Sequence, residues 1–274
     1  MIDVNRRVLP GFALSLGYTL LYMGLLVAIP MAAGFLKASN LTVDEFWAAV
    51  SSDRAMAAYL LTLGASFAAA AVNVVIGTLL AWVLVRYEFP LKGLLDTLVD
   101  LPFALPTAVA GLVYSSLFVQ TGWYGRFFVP LGIEGAYSRL GIVLVLVFIG
   151  LPFVVRTLQP VLEGLDADAE EAAACLGANR LQTFLRVIVP SILPAVVTGF
   201  ALAFARSLGE YGSVVFVSGN MPFKTEIAPV LIVARLEEFA YTEATAIAVV
   251  LLTISFVTLF LINLLERWSK RYHG

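Results

Sequence analysis

Charge is what this chain has least of. Only 13% of its 274 residues are Asp, Glu, Lys or Arg, against roughly 25% in ordinary soluble domains. With 61% apolar residues and a mean hydropathy of +0.94, the sequence excludes a water-soluble globule. Cysteine and histidine are nearly absent as well, with one each, Cys175 and His273. A single thiol rules out an intramolecular disulfide and a multi-thiolate metal site. One terminal histidine leaves no Ser/His pair and no metal-ligand set, so no catalytic or metal residues are expected. A G-x-x-x-x-G-K-[ST] phosphate loop is also missing, because Lys224-Thr225 is not preceded by glycine. No cofactor is expected on this chain, and no nucleic-acid partner.

What is abundant is long apolar runs. Crossing a ~30 Å hydrocarbon core takes about 20 residues of helix. Six runs qualify, near 10–36, 58–85, 98–120, 140–160, 189–208 and 244–265. The third and fifth are interrupted by proline and glycine. Arg6 and Arg7 before the first run resemble a signal peptide. The run extends over ~25 residues, longer than the 7–15 of a cleavable core, so it reads as a retained first span. No low-complexity tract or separate soluble domain appears. The expected fold class is all-α, a polytopic membrane protein of about six transmembrane helices. It forms a single domain over 1–274, with its core near 58–265.

Lysine and arginine asymmetry sets the expected orientation. With the N-terminus inside, ten basic residues fall on the cytoplasmic side and six outside, while Arg206 lies within an apolar segment. Both termini are then cytoplasmic, and so is the loop near 160–188.

That loop is the most organised polar segment. Asp166 and Asp168 precede a short helix, where side-chain oxygens can cap free N–H groups. Glu170 and Glu171 in its first turns complement the helix dipole. Ala169, Ala172, Ala173 and Leu176 fall at i, i+3, i+4 and i+7, an apolar stripe suited to a groove on a partner. Gly177 supplies the stop. Arg180 and Arg186 then belong to a second helix expected to end against Pro190. Cys175, inside the first helix, is expected to serve packing.

Two other segments invite a reading. Pro102 and Pro106 each remove a backbone donor, and freed carbonyls at bilayer depth are tolerated only against protein or a water-filled cavity. They indicate either a kinked packing helix or a segment lining a pathway. Arg206 and Glu210 are four apart, hence on one helical face. A charge at bilayer depth faces a cavity or a partner. Here it marks an internal ion pair or the route of an anion, with Glu210 holding Arg206. Arg156, at the inner end of the fourth run, joins that route or marks an interface. The first half of 211–243 is apolar enough to re-enter the membrane.

Glu171-Ala172-Ala173, three residues, Gly177, nine residues and Val187-Ile188-Val189-Pro190 resemble the EAA motif of bacterial ABC importer permeases. Val187 and Val189 stand where Ile and Leu are usual. Asp100 to Gly111 (DLPFALPTAVAG), Pro152 to Thr157 and Arg206 to Gly212 resemble the sulfate/molybdate class of these permeases. The length and the PFALPTAVAG wording are closer to the T-type sulfate/thiosulfate branch than to the shorter molybdate one.

The resemblance implies a permease subunit of an ATP-driven importer in the bacterial inner membrane, among membrane lipid. It implies a second permease of similar fold, two ABC ATPase subunits that use the ATP, and a periplasmic sulfate-binding protein. Glu170, Glu171, Ala172, Ala173, Leu176 and Gly177 would then form the coupling helix that docks on an ATPase. Arg206, Glu210, Pro102 and Pro106 would belong to the translocation pathway. Molybdate or tungstate is the nearest alternative cargo. An ion-driven secondary anion transporter is further off, since no internal inverted repeat is evident.

Overall fold

The computed structural model describes residues 11–272, with side chains as far as Leu264 apart from Asn263. Arg6, Arg7 and His273 lie outside the described residues, as do the side chains of Arg267, Lys270 and Arg271. Among the described residues every regular element is helical.

Five helices are long and apolar enough to span a membrane: α1 (Phe12–Ala38), α3 (Asp53–Arg86), α7 (Arg139–Glu163), α9 (Arg180–Leu208) and α12, apolar over Tyr241–Ile262 and continuing to Tyr272. Between α1 and α3 lies α2 (Val43–Val50), started by a Thr42/Glu45 capping box. Between α3 and α7 come α4 (Lys92–Val99), α5 (Leu101–Ala104) and α6 (Thr107–Phe118). The loop helix α8 (Ala167–Cys175) precedes α9, and α10 (Val214–Val217) and α11 (Ala228–Glu237) precede α12.

The run near 98–120 is therefore a broken element rather than one continuous helix. Leu105 is extended, with ψ 133°, immediately before Pro106, as the proline ring demands of the preceding residue. Pro102 causes no break, since it occupies the first turn of α5, where a missing donor is harmless. The second loop helix does not end at Pro190 either. It passes through that proline as part of α9, by way of a π turn at Phe184–Ile188. A matching π turn at Gly24–Ala28 precedes Pro30 in α1. Both wide turns end two residues before the ring, where its clash with the carbonyl four residues back must be relieved.

The core is the contact of α3, α7 and α9. Lipid is as apolar as any side chain, so small residues that let backbones close on one another hold such helices together. Ala55, Ala58, Ala65, Ala69, Ala70 and Ala81 of α3 are buried. A side chain at Gly77 would strike Val154 of α7 at 2.8 Å, and one at Gly199 of α9 would sit 3.1 Å from the Val154 backbone. Phe12–Met23 of α1 buries nothing, while the Ile29–Ala38 half rests on α12 near Ala248 and Leu252.

Candidate functional site

The loop site begins at Asp166, whose side chain accepts from the Asp168 N–H at 3.2 Å. Helix α8 ends in a Schellman motif. Gly177 is left-handed at φ +83°, the Ala178 N–H donates to the Ala173 carbonyl at 3.0 Å, and the Gly177 N–H to Ala174 at 2.9 Å. An Asn179/Gln182 capping box then starts α9. Two consecutive helices are thus fixed by local bonds before any tertiary contact.

The tertiary anchor is Arg86, the last residue of α3. It donates to Glu170 and lies over the Trp82 ring, 5.1 Å from its centroid. Trp82 in turn meets Phe184 of the π turn edge-on at 5.7 Å. So Glu170 and the half-buried Ala173 face the bundle, while Glu171, Ala172, Leu176 and Gly177 face outward. Leu176 is 89% exposed. Cys175 is exposed too, which overturns the packing role expected of it. At nine residues, α8 turns its cysteine away from α3 and α9, so nothing among the described residues covers it.

The second site lies where α9 gives way to the segment after Leu208. Arg206 donates to Glu210 at 2.6 Å. The other carboxylate oxygen accepts from the Ser213 N–H and hydroxyl, both at 2.9 Å. The Glu210 side chain is 3% exposed and that of Arg206 33%. Glu210 is therefore satisfied by three donors and held from two sides, while the guanidinium keeps an open edge. Segment 209–217 presses against the broken span: a side chain at Gly111 would meet the Ser213 carbonyl at 2.2 Å, and one at Gly212 the Thr107 hydroxyl at 2.3 Å. These glycines permit backbone-to-backbone contact, and α10 packs on α6 and α7. Pro106 is exposed just ahead of α6 and Pro102 is half-buried.

Arg156 does not join Arg206. It grips Asp100 with two bonds, 2.8 and 2.5 Å, and also reaches Asp96 at 2.6 Å and Gln159 at 2.6 Å. That clamp ties α4 and α5 to α7, at the far end of the bundle from Glu210. Asp96 is more acidic than an ordinary aspartate because the Gln159 amide and then Arg156 stabilise its charged form, against the opposing effect of burial. At the opposite end Arg54 makes a bidentate pair with Glu226 at 2.8 and 2.7 Å. The Ala228 N–H donates to the Thr62 hydroxyl at 2.8 Å beside it. Sequence reading missed Arg86, Asp96, Asp100 and the Arg54–Glu226 pair, whose partners lie between 56 and 172 residues apart. The available signal was an arginine or carboxylate at the end of an apolar run.

Comparison with known proteins bears on the family and the fold. The model of the "Binding-protein-dependent transport system inner membrane component" family matches residues 73–271. The "Sulfate transport system permease protein CysT" of Synechocystis sp. is 53% identical over 254 residues, 93% of this chain and 89% of that protein. Its namesake in Salmonella typhimurium is 49% identical over 98% of both chains. A chain of a bacterial ABC transporter involved in alginate import superposes with a TM-score of 0.75 at 18% identity, covering 93% of this chain and 94% of that one. That last match shows the shared fold alone. The chain belongs to the family of binding-protein-dependent transport system inner membrane components.

Proposed function

We propose that this chain is one half of the membrane pore of an ATP-driven importer of sulfate or thiosulfate. The carrying observation is the α8 loop. Its helix is capped at both ends, tied to α3 through Glu170–Arg86, and followed after the Gly177 break by the capping box that starts α9. The unpartnered residues Glu171, Ala172, Leu176 and Gly177 offer the handle to a separate ATPase. A displacement applied there is delivered to α3 and α9, two of the three core helices, and along α9 to Arg206. The cargo assignment follows the relatives named for sulfate transport. Molybdate or tungstate is the alternative oxyanion.

In this reading the α8 loop and both termini are cytoplasmic and the membrane is the bacterial inner membrane. A second permease, two ATPases and a periplasmic binding protein complete the assembly. The open edge of Arg206 faces the path of a divalent oxyanion, beside the gap at Pro106, with Glu210 holding the guanidinium. Arg206→Gln is expected to lower sulfate uptake severalfold while the purified complex still contains the ATPase; normal uptake in that variant removes Arg206 from the path. Gly177→Pro or Glu171→Lys is expected to release the ATPase on co-purification with the membrane fold kept. Competition of radiolabelled sulfate uptake by molybdate separates the two cargo readings.

A further inference from the structure

Between α3 and α9 a groove of about 600 Å³ opens on the outside of the bundle. Its walls are Val75, Thr78 and Leu79 on one side and Ile192, Leu193 and Val196 on the other. Toward the α8 loop it reaches the Trp82–Phe184 pair, and those two residues also line the next hollow, of about 420 Å³, together with Glu170, Arg180 and Thr183. The apolar trough and the charged pocket thus adjoin at their shared Trp82–Phe184 pair, as the two halves of a surface channel.

We propose that this channel binds an anionic phospholipid of the leaflet that meets the α8 loop, its acyl chain in the α3–α9 trough and its phosphate at Arg180. The order of residues follows the order of a lipid. Tryptophan sits at headgroup level in membrane proteins. Thr78 lies one turn, about 6 Å, deeper along α3, where the glycerol esters of a lipid would be. Charge selects the headgroup. Glu170 is already paired with Arg86, and Arg180, which lines the pocket, makes no ion pair among the described residues. The polar end of the channel is thus net positive, and basic pockets between spans on the cytoplasmic side favour acidic headgroups. An acyl chain suits the trough because Val75, Leu79, Ile192, Leu193 and Val196 line it with apolar surface, and the charged pocket adjoins it where a headgroup would lie. The cytoplasmic placement of that leaflet rests on the orientation proposed above; the residues bound do not.

The test uses the assembled transporter in nanodiscs of phosphatidylcholine doped with a trace of phosphatidylglycerol carrying a diazirine on its acyl chain. Illumination is expected to place adducts within 74–82 and 189–196. Arg180→Gln should reduce them about fivefold, the effect of one basic contact at an anionic surface. Leu193→Trp, which fills the trough without touching the charge, should remove them. Equal labelling by a phosphatidylcholine probe, or labelling unchanged in both variants, overturns the proposal. So does protection of the groove by the partner permease. If Arg180→Gln fails to assemble, loss of adducts in Leu193→Trp together with competition by unlabelled phosphatidylglycerol, and not by phosphatidylcholine, decides it. Uptake is not the readout, so the cargo reading can fail independently.

Discussion

The two ends of this bundle hold their charges in opposite ways. At one end the carboxylates of Glu210 and Glu226 are each 3% exposed, with only the Arg235 pairs to Glu238 and Glu243 at its surface among the described residues. At the α8 end, Asp96, Asp100 and Glu170 are 42, 44 and 30% exposed. A buried carboxylate cannot part from its arginine without a large penalty, whereas a half-hydrated pair trades partners for water at little cost. The first end is thus built as a fixed frame. The second is built to shift, and it carries the outward-facing loop. A protein moved by an external motor needs both, a stationary end and one that yields without unfolding.

Removing Arg54 is the strongest way to break this contrast. Arg54→Ala leaves Glu226 buried opposite nothing, and we expect about 3 kcal/mol of destabilisation, the low end for a broken buried pair because Arg54 is itself partly exposed. Thermal unfolding of the purified chain in detergent measures it, and raising salt to 1 M should not change the loss. Arg156→Ala cuts bonds to two carboxylates yet is expected to cost only about 1 kcal/mol, because both remain wet. The wild-type advantage there should shrink at 1 M salt, where screening acts within about 3 Å. Equal costs for the two variants would mean that burial does not distinguish the ends.

Much of the mobile end was legible because its structure is local. Asp166 and Gly177 act within a few residues of themselves, so the cap and the break could be read in order along the chain, although the Asn179/Gln182 box beyond them was passed over. The division of α8 into an inner face at Glu170 and an outer face at Leu176 could not. It depends on Arg86, 84 residues away, and an arginine closing an apolar run looks the same whether it is solvated or paired. Cys175 was misplaced for the same reason: a nine-residue helix has too few turns for its pattern to say which side is covered. The break at Pro106 was visible as proline chemistry. Its purpose was not, since the contact of Gly111 with Ser213 joins segments that are distant in sequence. Pro190 looked like a stop because a ring inside a helix usually is one, whereas α9 continues past it by way of the π turn ahead. Asn73 was lost inside an alanine-rich run. It is fully buried against Gly150 of α7 with neither amide atom hydrogen-bonded, a polar defect at the centre of the three core helices that periodicity treats as one more small residue.

Acid probes the contrast most gently. Asp96 is held below its ordinary value of 3.8 in the folded protein, first by the Gln159 amide and also by Arg156. A carboxylate with a lowered folded value contributes stability that is complete above the unfolded value and disappears as pH falls through the folded one. Between pH 7 and 5 the α4 clamp should therefore be unaffected. Below about 4 the unfolded carboxylate begins to take up protons that the folded one resists, and the clamp should weaken by less than about 1 kcal/mol, since Asp96 is well hydrated. Hydrogen exchange of amides 92–99 is the appropriate measure, as global unfolding would be dominated by the core. Asp96→Asn removes the titration, so its exchange in this segment should already be faster at neutral pH and should change less on acidification. If acid loosens 92–99 equally in both proteins, Asp96 is not what holds α4 to α7.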